Sequence, residues 1–228
     1  MLSFFKRIYK QSFIYKMIEH FINKKYRKRL KNDHFTILCP NCIGGVIYNR
    51  LGKKFDSPTV NLAINTNDFS YFLENMEYYL SQPVIDAGKN RHGIPCGVIK
   101  GAETESIPDI TLIFTHYKTY QEGVDKWNER KTRINKENMY VIMYDINDLN
   151  EDDYKKAGYA NEAAIKRFKK FKCKNKILLT RDPESDKPYA YYIEPNYKDK
   201  YPLAYLTRDI FGLNGFEKKW DFVAFLNK

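Results

Sequence analysis

Short runs of β-forming apolar residues alternate along this chain with stretches whose apolar residues recur every three or four positions. Phe35-Thr36-Ile37-Leu38 is the first run. Ser57–Ile64 reads as a second strand, entered through Pro58. Asp109–Tyr117, Met139–Tyr144 and Lys176–Thr180 follow, with Tyr189–Glu194 as an edge strand. Helices are expected after the turn at 39–45, from the cap residues Asn67 and Asp68 to near Pro83, over Thr119–Ile134, over 151–172, and over Leu203–Phe211 and Gly215–Leu226. Period two in strands and 3.6 in helices makes the two kinds of segment distinguishable. Their alternation predicts an α/β fold with a mainly parallel sheet flanked by helices, in two subdomains. Residues 84–106 are rich in glycine and turns. They read mainly as loop, with a short strand at Cys96–Ile99, and are the expected seam.

Charge separates residues 1–33 from the α/β body at 34–228. The net charge is +11, and residues 1–32 carry ten Lys and Arg against Glu19 alone. The body is therefore nearly neutral, which argues against a nucleic-acid partner, since that wants a basic stripe across the folded domain. The apolar residues of 2–31 (Phe4, Phe5, Ile8, Tyr9, Phe13, Ile14, Met17, Ile18, Phe21, Ile22) recur at helical spacing. A basic amphipathic helix of this kind lies in an anionic membrane interface or docks on its own protein, and both are open here. No apolar run reaches the ~18 residues of a membrane span, and no signal-peptide core is present. The expected location is cytoplasmic, peripheral at the inner face of the membrane. The four cysteines are then expected to be free thiols.

The candidate chemistry gathers at Cys39-Pro40-Asn41-Cys42-Ile43-Gly44-Gly45. Strand, tight turn, helix is the arrangement of an α/β ligand site. It places Cys42 near a helix N-terminus, where backbone N–H groups favour a thiolate or a bound anion. C-x-x-C also fits a redox pair or half of a zinc site. Zinc needs two further ligands, and Cys96, Cys173, His34 and His92 are isolated, so no metal site is expected. Cys39 is expected to be a buried strand-end residue. Gly44 and Gly45 would allow a ligand or another helix to come close. A nucleophilic cysteine needs a base, and His116 follows the strand run Ile113-Phe114-Thr115. Ligands collect at the carboxyl ends of parallel strands, so the two are expected to face each other, with Asp145 at a third strand end to orient His116 or bind a substrate hydroxyl. Lys126, Arg130 and Arg133 share one helix face that could receive phosphate or a solvent shell. Asp145-Ile146-Asn147-Asp148 offers hard oxygens, without the Asp-x-Asp spacing of many glycosyltransferases.

Several of these segments, in order, resemble a bacterial family. They are Asn41–Gly45 with Tyr48 and Leu51-Gly52, Ser57–Leu62, Asp68-Phe69 with Tyr71-Phe72-Leu73, Asp109-Ile110 leading to Phe114 and His116-Tyr117, and Lys126-Trp127-Asn128 with Arg130-Lys131 and Arg133-Ile134. Together they are similar to the domain-of-unknown-function family DUF1919, from about Thr36 to about Ile193. Members of that family are often labelled exopolysaccharide or capsule biosynthesis proteins, and some acetyltransferases. In the family pattern Asn stands where this chain has Cys39 and Pro40 and an aromatic is common at Ile43, while Cys42 and the double glycine are shared. The resemblance implies an α/β fold and a role near surface-polysaccharide assembly, and brings no catalytic residues or cofactor with it. The expectation is a transferase, acyl or glycosyl, with Cys42 as nucleophile, His116 as base and Asp145 as orienting carboxylate. Asn41, Gly44, Gly45, Lys126, Arg130 and Arg133 would hold a sugar nucleotide or lipid-linked sugar. The alternative is a non-catalytic assembly or regulatory protein that binds a sugar nucleotide.

Overall fold

A computed structural model describes residues 13–144, 162–180, 190–192 and 220–228. In chain order these form helix α1 (Phe13–Arg29), strand β1 (Thr36–Leu38), helices α2 (Ile43–Leu51), α3 (Thr66–Glu74) and α4 (Met76–Ser81), and strands β2 (Val84–Lys89), β3 (Pro95–Ile99) and β4 (Ile110–Ile113). Helix α5 (Tyr120–Lys131), strand β5 (Met139–Tyr144), helix α6 (Glu162–Lys170), strands β6 (Asn175–Thr180) and β7 (Ala190–Tyr192) and helix α7 (Phe222–Leu226) complete the described chain.

The fold is α/β, built on two sheets. Strands β1, β5, β6 and β7 form a parallel sheet in the order β1-β5-β6-β7. Strands β2, β3 and β4 form an antiparallel one. The expected mainly parallel sheet therefore accounts for only one of the two. The difference arises in 84–106, where the expected short strand at Cys96–Ile99 is present as β3 and a second strand, β2, stands where loop was expected and pairs with it in a hairpin. Residues of β2 after Val84 are exposed, so that strand lacks the apolar alternation by which strands are recognised.

The parallel sheet is covered on both faces, which is why its strands read as continuous apolar runs. Ile37, Tyr140, Ile142, Tyr144, Ile177 and Leu179 pack against α2 and α7. The alternate residues Leu38, Val141, Met143 and Leu178 share a second core with α3, α5, α6 and the antiparallel sheet. Helix α1 lies on α2. Arg50 bonds Glu19 at 2.7 Å, Tyr26 meets Phe222 edge-on at 5.0 Å, and Arg29 pairs with Asp221. Helix α3 starts at Asn65, whose side chain accepts from Asn67 N–H at 2.9 Å, and breaks at Asn75, one helix short of the single run expected to Pro83.

Ser57–Ile64 differs from expectation in a way that positions the site. It runs beside β1 without becoming a strand. Pro58 has no N–H to give, and Asn61 sits in the left-handed region at φ 65°. Side chains replace the ladder. Thr36 Oγ1 donates to Asp56 O at 2.9 Å, and Cys39 N–H donates to Thr59 Oγ1 at 3.1 Å. At its end the segment joins the two sheets. Ile64 N–H reaches Pro40 O at 2.9 Å, while Ala63 exchanges two 2.8 Å backbone bonds with Ile113.

Candidate thiol–imidazole site

That joint brings the exit of β1 and the exit of β4 side by side. Cys42 stands two residues past Pro40 and His116 three past Ile113. Their side chains meet, with Cys42 Sγ 3.0 Å from His116 Nε2. The expected pairing is thus present, although by a different route. His116 follows an antiparallel strand, and the Ala63–Ile64 link supplies the proximity that a shared parallel edge was expected to supply.

Cys42 is the N-cap of α2 with helical backbone angles, and its side chain caps nothing. The capping falls to its neighbour. Asn41 Oδ1 accepts from Ile43 N–H at 2.8 Å and from the Cys39 thiol at 3.2 Å. Cys39, not Cys42, is the sulfur that the backbone N–H groups of Asn41 and Gly44 address. Complete burial outweighs them and pushes the Cys39 thiol up to about 12, so it stays neutral. The C-x-x-C is two free thiols with separate partners. Cys42 is half-buried. Burial raises its thiol too, and hydrogen bonding to the Thr115 hydroxyl works against the rise. Thr115 Oγ1 also lies 3.4 Å from Asn61 O, so its one proton serves either acceptor. The resting site is therefore a neutral thiol against an exposed imidazole, with a hydroxyl beside the sulfur.

Other expected site residues fall differently. Gly44 and Gly45 face the protein. A Cβ at Gly45 would lie 2.9 Å from Asn61 Oδ1 and 3.2 Å from Val60 Cγ1, and one at Gly44 would touch Cys39 and Ile37. What comes close to the double glycine is the 57–64 segment and β1, so the expected ligand approach there is corrected. The cationic face of α5 is corrected likewise. Arg130 is 6% exposed, donates to Val60 O at 2.8 Å and to Tyr117 Oη at 2.6 Å, and lies over the Phe55 ring at 5.1 Å. Burial pushes the Tyr117 phenol up, and Arg130 opposes it. Arg133 binds Asp56, Glu129 and Phe55 O. Lys126 binds Glu129, and the two cations hold that carboxyl down at about 2. These three side chains brace α5 against the 55–61 segment or one another. Asp145 lies outside the described residues. Among the described residues no group of three or more His, Cys, Asp or Glu could hold a metal ion.

Two residues of the site were not legible as such. Thr115 read only as the tail of a strand, and Asn61 as part of one. Asn61 Oδ1 lies over Gly45, and its left-handed backbone turns the 57–64 segment toward Ala63. Asn41 Nδ2 is a third feature, a buried donor with no hydrogen-bond partner directly beside Cys42 in the chain. Buried amide donors left unpaired are costly and rare.

The profile of the family described as domain of unknown function (DUF1919) matches residues 13–227. The chain belongs to the DUF1919 family. An uncharacterized protein of Haemophilus influenzae is 29% identical over an aligned length of 222 residues, covering 95% of this chain and 96% of that protein. The family match begins at the first residue of α1 and reaches past α7, so all the described elements lie within the DUF1919 region.

Proposed function

We propose that this DUF1919 member is an acyl-transferring enzyme of surface-polysaccharide synthesis, with Cys42 as nucleophile and His116 as general base. The observation that carries this reading is the 3.0 Å contact between Cys42 Sγ and His116 Nε2. A thiol next to an imidazole forms and breaks thioesters, and its usual partners are activated acyl groups. The polysaccharide setting rests on the sequence resemblance alone.

In the first half-reaction Sγ attacks the acyl carbonyl while its proton moves to Nε2. The tetrahedral intermediate collapses, the leaving group takes that proton, and the acyl group stays on Sγ. In the second, a sugar hydroxyl attacks the thioester, gives its proton to Nε2, and the thiol leaves reprotonated. The Thr115 hydroxyl and the Cys42 backbone N–H address the sulfur, and Asn41 Nδ2 is the buried donor beside it in the chain; a donor aimed at a developing oxyanion is worth about 3 kcal/mol. With the thiol raised by burial, Sγ keeps its proton at rest, so this scheme requires His116 to take it as the carbonyl is attacked. Glycosyl transfer is less well supported, since Lys126, Arg130 and Arg133 are engaged by protein groups and not held open for a diphosphate.

The test is incubation of the protein with short-chain acyl-CoA and intact-mass measurement. The expected result is one hydroxylamine-sensitive acyl adduct on Cys42, absent in Cys42→Ala and slowed at least ~100-fold in His116→Ala. Full polysaccharide modification in cells carrying Cys42→Ala would overturn the covalent mechanism. The second reading, a non-catalytic sugar-nucleotide binder, is favoured by the neutral Cys42. It would show as a thermal shift with sugar nucleotides and none with acyl-CoA.

A further inference from the structure

Among the described residues nothing packs on the outer face of α1. One side of the helix is locked to the body through Glu19, Asn23, Tyr26 and Arg29. On the other, Phe21 is 61% exposed and Met17 44%, one helical turn apart. Lys24 and Lys28 continue that stripe at the third and seventh residues beyond Phe21, and Lys16 and Lys25 flank it. All four lysines are exposed, and none has an acidic partner among the described residues. Glu19, the one acid of α1, is turned to Arg50 on the inner face.

We infer that this face of α1 is a docking surface for an anionic phospholipid bilayer, and that it holds the body flat against the lipid. Docking on the protein and contact with a membrane are thus not alternatives, because different faces of one helix serve each. The chemistry selects the partner. Two large apolar side chains standing out from a helix among lysines match the headgroup boundary, where apolar groups enter and ammonium groups stay with the phosphates. A folded nucleic acid would instead be met by a charged body, and the charge here is concentrated in residues 1–32, the segment to which α1 belongs. Helix α1 packs against α2 at Arg50, near its C-terminal end, whereas Cys42 caps its N-terminal end. Seven helical residues, 43 to 49, lie between them, a rise of about 12 Å over eight steps.

Deleting residues 1–31 would be a poor test, since it removes contacts that cover α2 and α7. Substitutions confined to the outer face avoid this. The full chain is titrated with vesicles of phosphatidylcholine containing 30% phosphatidylglycerol and with phosphatidylcholine alone. Binding is expected only to the first and should weaken with salt. The pair Lys24→Glu and Lys28→Glu should weaken it at least tenfold, at about fivefold per lost lysine before repulsion. The pair Met17→Ser and Phe21→Ser should also weaken it severalfold, with the urea midpoint unchanged in both double variants. No binding by the wild type, or equal binding by either double variant, overturns the inference. So does binding to single-stranded RNA as tight as to the vesicles and indifferent to Phe21→Ser, which would make the face a polyanion contact. Acyl transfer by Cys42 is measured without lipid, so the two proposals fail separately.

Discussion

Gly123→Ala should destabilise the protein even though it replaces a helical glycine by the best helix former. Gly123 lies in the first turn of α5 and presses on Phe114, which is fully buried. A Cβ there would fall 2.5 Å from both Cδ1 and Cγ of the ring and 2.9 Å from Cδ2. That is about 1 Å inside ordinary carbon–carbon contact. The ring has little room to retreat. Tyr117 and Tyr120 meet it edge-on at 6.0 and 6.1 Å, and β3 closes its far side at Gly97, where a Cβ would itself lie 3.2 Å from the ring. Overpacking of a tight core costs about 1–3 kcal/mol, against a gain of about 0.5–1 from replacing glycine in a helix. The expected net loss is about 1–2 kcal/mol, or roughly 2–8 °C in Tm for a chain of this size. Gly44→Ala is the control. Its Cβ would meet Cys39 Cβ at 3.4 Å and Ile37 Cγ2 at 3.5 Å, which is ordinary contact, so it should gain about 0.5–1 kcal/mol. Urea and thermal unfolding of both variants measure the difference. Phe114 is followed directly by Thr115 and His116, so Gly123→Ala should also change the rate at which iodoacetamide modifies Cys42. A Gly123→Ala protein as stable as wild type, or more so, would refute the packing argument.

Burial holds the Cys39 thiol up at about 12, so its contribution to stability is complete below the unfolded thiol value near 9 and is lost as pH rises toward 12. Stability should fall by about 1.4 kcal/mol per pH unit from this one group above pH 9, and Cys39→Ala should remove that slope in urea titrations at pH 8 and pH 10. In the native protein Cys42 should react with iodoacetamide at neutral pH while Cys39 does not; equal labelling of the two would contradict the buried position of Cys39. Arg130→Ala should cost about 2–3 kcal/mol through the bonds lost at Val60 O and Tyr117 Oη. Loss of phosphate binding at undiminished stability would instead restore an anion-binding role for that residue.

Much of this was legible before any coordinates. Met139–Tyr144 and Lys176–Thr180 are strands because they are apolar on both faces, and Thr119 with Val124 and Trp127 marks α5. The free cysteines followed from the expected reducing location, and the special place of Cys42 from the glycines behind it and a histidine at a strand end. Local pattern carries such information, because burial on one or both faces leaves a period in the residues themselves. What lay outside local pattern was pairing. Strand β2 is exposed after Val84, so nothing in its residues announced a hairpin with β3. Ser57–Ile64 has the composition of a strand, and only Pro58 and the left-handed Asn61 stop it from forming a ladder. The lysine and arginines of α5 looked like a phosphate cradle because charge is visible in sequence, while the carbonyls, phenol and carboxylates that occupy them are brought by distant segments.

The sequence by itself determined that Cys42 stands at a strand–helix turn, that its neighbour Cys39 is buried, and that the basic charge belongs to residues 1–32. His116 was the histidine expected opposite the thiol, and tertiary structure alone decided the route by which the two meet. His116 is 74 residues away in the chain. It arrives because Ala63 bonds to Ile113 on one side and Ile64 to Pro40 on the other, and backbone hydrogen bonds between sheets leave no trace in side-chain pattern.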